Sequence, residues 1–499
     1  MLKAVTELFD RLNRERIPYC HWKSNRSLDR ALAGRTDLDL LVDRSQSVRF
    51  KQVLCELSIK PFVSERAKRY AGLEDYLGFD EESGRLFHLH VHYQLVLGER
   101  HVKNYRLPLE ESFLTNPLVK AGVKIPRAEL ELILLCIRGL LKYRVRDFVK
   151  DGLGLGSPGL TRDLLEEIEH LRGKSSADGV KSALHHEFSL VSPRIVLSFL
   201  DLVTRKPRAA AAVWSLRFQL RRELKAYQRQ GRLRANAEYL GILATRRLRR
   251  WLSFAPAKKV PVTGGAVIAI VGADGAGKST MVEELQTWLS WKVDTHRCYM
   301  GTGTHLPLLS RQLRRVSRLT SRVHRIAVRL LGEGNAVAKA LRSPHFLAES
   351  LFHISVAAMR ARRHRVSRRM AAQGSLVLTD RYPLAGIWKH MTGPVAPMDG
   401  PRIAWLSRNG TPGRAEAYLA RKEEAFYDTI GPPDCIVLLH VTAETALRRK
   451  PDHDPAVVKA KLLAVERLER SALHIIDVDS NRPFAETLMA AKRGIWARL

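Results

Sequence analysis

The sequence predicts an α/β protein, with a C-terminal parallel sheet carrying helices on both faces, an N-terminal α+β region, and a helical spacer between them. Three observations lead there. Strand-like apolar runs alternate with long helical segments after residue 262. A glycine-rich turn stands between the first of those runs and a helix. Between residues 126 and 250 the apolar residues recur at helical spacing without any strand pattern.

The 499 residues allow roughly three domains of about 150 residues each. The expected divisions are 1–120, 121–254 and 262–499. Residues 1–120 alternate short apolar runs with loops. In 128-AELELILLCIRGLLKY-143, Leu130, Ile133, Leu134, Ile137, Leu140 and Leu141 define one helix face, and Pro126 opens the helix. The segment from Ala255 to Pro261, with two prolines and no periodicity, reads as the main boundary. Beyond it, 266-AVIAIV-271, 375-SLVLT-379, 435-CIVLLHV-441 and 474-HIIDV-478 read as buried strands.

Composition narrows the function classes. With 45% hydrophobic and 27% charged residues the chain is globular. Its apolar runs are far shorter than the ~20 residues of a membrane helix, and MLKAVTELFDRLNRER lacks the apolar core of a signal peptide. Five scattered cysteines without CxxC spacing argue against a disulfide framework or zinc finger, so a cytoplasmic location is expected. The net charge of +33 is concentrated in two stretches. Residues 205–250 hold 14 basic and 2 acidic residues, and residues 311–369 hold 15 and 2. Such stretches are either solvated faces or sites for an anionic partner.

The most specific motif is 272-GADGAGKS-279, which fits G-x-x-x-x-G-K-[ST] in the required context of strand, loop and helix. Gly272, Gly275 and Gly277 let backbone amides approach phosphates, Lys278 reaches the β- and γ-phosphates, and Ser279 offers a hydroxyl to Mg²⁺. A second motif, 376-LVLTDRYP-383, puts Asp380 at the end of a buried strand, where ligands gather in open α/β sheets. Asp380 suits a metal and Arg381 suits a bidentate grip on phosphate.

The loop with Asp274 inside it, followed by Asp380-Arg381-Tyr382, resembles the thymidylate kinase family of P-loop kinases. The segments 348–374, 433–450 and 474–496 also resemble that family, and the likeness covers about 265–499. It implies ATP and Mg²⁺ as cofactors, with Gly272, Gly275, Gly277, Lys278, Ser279 and Thr280 around the ATP phosphates. It implies that Asp274 approaches the acceptor, that Asp380 supports the metal and that Arg381 grips the acceptor phosphate. Ala276 stands where some members carry an arginine, so Arg448 and Arg449 are expected to supply the charge from a lid. The segment 298-CYMGTG-303 replaces the family's Arg-Glu-Pro-like stretch, His440 stands where an acidic residue is usual, and Arg360 is the nearest base-contacting candidate. The ATP side is kept and the acceptor side is altered.

In 34-GRTDLDLLVD-43, Asp37 and Asp39 fall at i, i+2, on one face of a strand, as a metal-binding carboxylate pair does. This Asp-x-Asp resembles the nucleotidyltransferase fold, closest to a bacterial family with histidine in place of the third acid. In 87-FHLHVHYQLV-96, Phe87, Leu89, Val91, Tyr93 and Leu95 suit the core, while His88, His90 and His92 face away, either as nitrogen ligands or as a solvent-exposed face.

The expected function is ATP-dependent phosphoryl transfer to a nucleotide-like acceptor, dTMP among the candidates, coupled to a nucleotidyltransferase-like module. The alternative is a non-catalytic ATP-binding regulatory or assembly protein, with cell-surface polysaccharide synthesis as its setting by family association. The expected partner is a nucleotide or phosphorylated small molecule, and a homodimer is a further expectation. Leu313, Val316, Leu319, Val323, Ile326 and Leu330 form a helical stripe beside seven arginines in 311–330. An ordinary packed helix would bury the stripe. An anionic membrane surface, at the inner face of the membrane, would satisfy both stripe and arginines. That segment has no aromatic residue, so nucleic acid is not an expected partner.

Overall fold

The computed structural model describes residues 1–65, 68–99, 102–153, 159–205, 210–252, 256–303, 306–385, 399–408, 413–468 and 473–499, with backbone only at 246–252. Residues 206–209 of the first basic stretch, Ala255 of the linker and His305 lie outside the described residues. The chain divides into two compact units, Met1–Val262 and Thr263–Leu499.

The first unit is built on a six-stranded sheet. Its spatial order is Tyr19–His21, Leu38–Val42, Arg85–His92, Leu73–Asp80, Lys60–Val63 and Val260–Pro261. Leu38–Val42 and Arg85–His92 run parallel and the other pairs antiparallel. Alternation decides which side chains meet which environment. Leu38, Leu40, Phe87, Leu89 and Val91 enter a core with Val5, Leu8 and Phe9 of the Lys3–Arg14 helix. Asp39, Asp75, His88 and His90 lie on the opposite face.

The Ala128–Lys142 helix forms over the residues whose periodicity predicts it, and all six of its predicted face residues are buried. Leu132, Leu135 and Cys136 are buried too, so the helix is enclosed nearly all round. The helical residues are not a free-standing spacer. They share the first unit with the sheet, and one apolar core joins Trp22, Leu41 and Leu95 to Ile133, Ile137 and Phe199.

The second unit holds a five-stranded, all-parallel sheet in the spatial order Thr295–Tyr299, Leu376–Asp380, Ala266–Gly272, Cys435–His440 and Ile475–Asp479. The chain order reverses at Ala266–Gly272, which has later strands on both sides. Loops leaving that strand's carboxyl end therefore diverge and open a crevice. Four of the strands coincide with apolar runs. Thr295–Tyr299 is a polar edge strand that hydrophobicity does not reveal.

The Leu308–Leu331 helix forms where its periodicity places it, then turns at Gly332 and packs against the Ala336–Ala372 helix. The face it buries is not the predicted one. Ser310 and Ala327 are buried, Leu313 packs beside Phe352, and Thr320 meets His345 at 3.4 Å. The helix is thus packed with exposed arginines, but Val316, Leu319, Val323, Ile326 and Leu330 of the stripe are exposed rather than buried. Serine, threonine and alanine allow close helix approach, and the larger residues are left outside. Among the described residues no helix is long and apolar enough to cross a membrane.

Candidate active sites

Strand Ala266–Gly272 ends in the loop 273–277, and the Lys278–Ser290 helix begins directly after it. Gly275 and Gly277 both have positive φ, near 85°, which turns successive amides toward one side. A side chain on Gly275 would come within 2.7 Å of the Ala446 carbonyl, so the loop also needs glycine for its approach to the Ala443–Arg449 helix. Ser279 and Thr280 stand exposed in the helix's first turn, where backbone N–H groups lack intrahelical partners.

Lys278 folds back over the loop and donates to the carbonyls of Gly272 and Ala273 at 2.9 and 2.8 Å. Burial lowers its pKa, an effect opposed by Asp274 at 3.9 Å. Asp274 gathers basic side chains: Lys461 at 2.5 Å, Arg381 at 3.7 Å and the His453 ring at 4.0 Å. Burial pushes its carboxyl up. The Lys461 hydrogen bond and the charges of Lys278, Lys461 and Arg381 outweigh that and bring it down to about 2. Ser279 donates to Asp380 Oδ2 at 2.9 Å. Asp380 is fully buried, its Oδ1 has no hydrogen-bond partner, and Arg297 comes to 3.7 Å of Oδ2.

Arg381 adopts φ +59°, a left-handed conformation uncommon for a residue with a side chain. A side chain on Gly301 would come within 2.3 Å of the Tyr299 hydroxyl and 2.5 Å of Arg381 Cδ. The 298–303 segment is therefore shaped around Tyr299 and Arg381. Arg360 is buried and fully engaged. It donates to Met300 O, to the Tyr427 hydroxyl and to both the carbonyl and the carboxylate of Asp399. Asp399 also lies 3.8 Å from Arg381.

The two arginines expected to share a lid role are placed differently. Arg448 is exposed. Arg449 donates to Gly275 O, Ser480 Oγ and Ser480 O, so it braces the loop from beneath. Lys461 and His453, on and just before the Pro455–Glu466 helix, are the side chains that approach Asp274 from that side. Sequence reasoning did not select Lys461, His453, Arg297, Asp399 or Ser480. No motif marks them, and only tertiary proximity does.

A second cluster lies in the first unit. Parallel register sets Asp39 beside His90, and antiparallel register sets Asp75 on His90's other side. Asp37 meets His88 Nδ1 at 2.8 Å, and Asp75 meets His88 Nε2 at 2.9 Å. Asp39 contacts His90 at 2.9 Å and Lys23 at 2.7 Å. His88 and His92 are buried and His90 is partly so, which removes the solvent-exposed reading of this face. Burial lowers His92 to about 3 against the opposing hydrogen bond to Asp39, keeping it a neutral imidazole. Asp39, His90 and His92 each offer a ligand atom, all within 4.8 Å of one another. Asp37 turns instead toward His88. Asp75 is a carboxylate on a neighbouring strand that no sequence motif marks.

No protein-family model matches the chain. Over 239 residues it is 29% identical to the Uncharacterized ATP-binding protein YghR of Escherichia coli strain K12, covering 46% of this chain and 86% of that protein. It is 28% identical over 245 residues to the Uncharacterized ATP-binding protein YghS of the same strain, covering 47% and 93%. Among solved structures it is similar to deoxyadenosine kinase from M. mycoides with bound dATP, at 13% identity and a TM-score of 0.27, over 46% of this chain and 98% of that one. The same kinase with products dCMP and a flexible dCDP bound gives 14% identity and a TM-score of 0.29, over 46% and 99%.

Proposed function

We propose that the second unit binds ATP on the 272–279 loop and transfers its terminal phosphoryl group to a nucleotide-like acceptor. The observation that carries this reading is the convergence of Lys278, Ser279, Asp380, Arg381 and Asp274 at the carboxyl end of a parallel sheet, at its switch point. The names of YghR and YghS as ATP-binding proteins support the nucleotide. The loop amides and Lys278 would hold the phosphates, with Lys278 exchanging its two backbone carbonyls for phosphate oxygens. Ser279 and Asp380 fit a divalent cation, because one oxygen of this fully buried carboxylate has no hydrogen-bond partner. Mg²⁺ there would neutralise phosphate charge.

Arg381 would grip the acceptor phosphate, and Asp274 would orient both Arg381 and Lys461 toward it. Phosphoryl transfer depends mainly on positioning and charge neutralisation, and these cations supply both. The altered 298–303 segment leaves thymidylate as one candidate among nucleotides. The test is an acceptor screen with the purified chain, ATP and Mg²⁺, read as ADP formed with each nucleoside or nucleoside monophosphate against water alone. Turnover no faster with any acceptor than with water would favour a non-catalytic ATP-binding role.

For the first unit the geometry supports a nucleotidyltransferase-like module that binds metal through Asp39 and its two histidines. Supporting this are the convergence of Asp39, Asp75, His90 and His92 from three adjacent strands and the neutral state of His92. Lys23 occupies Asp39 in this state and would have to yield to the metal. Titration with Mn²⁺ or Zn²⁺, followed by calorimetry on wild type and Asp39→Ala, tests it. Equal binding by both proteins would refute it.

A further inference from the structure

We infer that the Leu308–Leu331 helix is a docking surface for an anionic lipid bilayer. Val316, Leu319, Val323, Ile326 and Leu330 follow one another at steps of three and four, so they form a continuous stripe. Their exposure runs from 43% at Val323 to 75% at Leu330. Among the described residues none buries any of the five. Arg311, Arg315, Arg318, Arg322, Arg325 and Arg329 repeat at the same steps, one residue earlier, and all are exposed. They line the solvent side of the stripe along its whole length. The flank of the stripe away from the arginines, from Thr320 to Ala327, packs against the Ala336–Ala372 helix.

The arrangement selects among occupants. Among the described residues no carboxylate pairs with any of the six arginines, and residues 311–369 contain only two acidic residues. A second copy of this face would set one arginine row against another, which repels. Nucleic acid would satisfy the arginines but leave five aliphatic side chains in water, with no aromatic ring to stack on bases. An anionic bilayer takes both features at once: the stripe enters the boundary of the acyl chains and the guanidinium groups reach lipid phosphates. Helix hydrogen bonds are already satisfied internally, so lying in the interface costs the backbone nothing.

The inference does not rest on the proposed kinase activity, and its test uses none. The full chain is sedimented with phosphatidylcholine vesicles and with vesicles containing phosphatidylglycerol. Expected is binding to the anionic vesicles alone, weakening as salt rises. A chain of +33 net charge would show some of that by charge alone, so the deciding variant is Leu319→Gln with Ile326→Gln, which leaves the charge unchanged. It should weaken anionic binding by at least about tenfold, while Leu319→Ile keeps it. Both positions are exposed, so folding is preserved, and circular dichroism checks this. Undiminished binding by the double Gln variant overturns the inference, as does equal binding to both vesicle types or binding to neither. Self-association without vesicles, or capture of DNA or RNA, that is lost in the same double variant would assign the stripe to another occupant and overturn it too.

Discussion

The Ser279 hydroxyl donates to the Asp380 carboxylate across 2.9 Å, tying the first turn of the helix after the phosphate loop to the end of the neighbouring strand. This bond leaves the second Asp380 oxygen buried without a partner. Replacing Asp380 by Asn keeps the shape and removes the charge. The expected result is loss of most of the Mg²⁺-dependent gain in ATP affinity, by about ten- to hundredfold, with metal-free binding little changed. Calorimetry with and without Mg²⁺ measures both, and an intact Mg²⁺ increment in the variant would remove Asp380 from the metal site.

Lys278 holds the loop's own carbonyls and is the residue positioned to meet phosphate. Lys278→Ala should abolish measurable ATP binding while the helix it begins stays folded. Unchanged ATP affinity by calorimetry would contradict the phosphate role of this loop.

Arg448 and Arg449 should separate in experiment, although they are neighbours in sequence. Arg449→Ala loses its bonds to Gly275 and Ser480, an expected cost of about 1 kcal/mol, or about 2–4 °C in the melting temperature of a unit this size. Arg448→Ala should leave melting unchanged and act, if on anything, on kcat. Arg381→Ala should mainly raise the acceptor's KM, since a grip on ground-state phosphate is uniform binding. Thermal unfolding set beside steady-state kinetics distinguishes these outcomes.

Glu131 is expected to make the first unit sensitive to pH. It is buried on the Ala128–Lys142 helix and accepts from the backbone and side-chain amides of Asn25, both at 2.9 Å. Burial raises its carboxyl to about 7. The Asn25 hydrogen bonds oppose the shift, Glu167 adds to it and Arg138 opposes it. A raised carboxyl stabilises fully below its unfolded value of 4.5, and that contribution is lost as pH rises through about 7. The loss at alkaline pH amounts to roughly 3 kcal/mol. Hydrogen exchange in this helix, corrected for the intrinsic pH effect, should show protection falling from pH 5 to pH 8 in wild type and staying flat in Glu131→Gln. A flat wild-type profile would count against it.

Motifs with local logic were legible in the sequence. The glycine spacing before Lys278, the apolar strand ahead of it and Asp380 at the end of another strand all follow from short-range rules. So does the alternation that sends His88, His90 and His92 to one face. Residues brought in by topology were not legible. Lys461 reaches Asp274 from 187 positions away, and Asp75 reaches His90 only because a hairpin folds its strand back in register. Thr295–Tyr299 escaped notice because an edge strand need not be apolar. The stripe on Leu308–Leu331 was found by its period, but periodicity states only which residues share a face, not whether that face turns inward.

The pairing of Val260–Pro261 with Lys60–Val63 has a consequence for biosynthesis. A nascent chain can lay down the first five strands early, but the outer one keeps an open hydrogen-bonding edge until residue 260 has left the ribosome. At about 5–20 residues per second that wait is ~10–40 s. An uncovered edge invites pairing with another chain. Lys259 arrives with the closing strand and settles 3.5 Å from Asp75, so the same late event that seals the sheet also completes the charge balance around the histidine cluster.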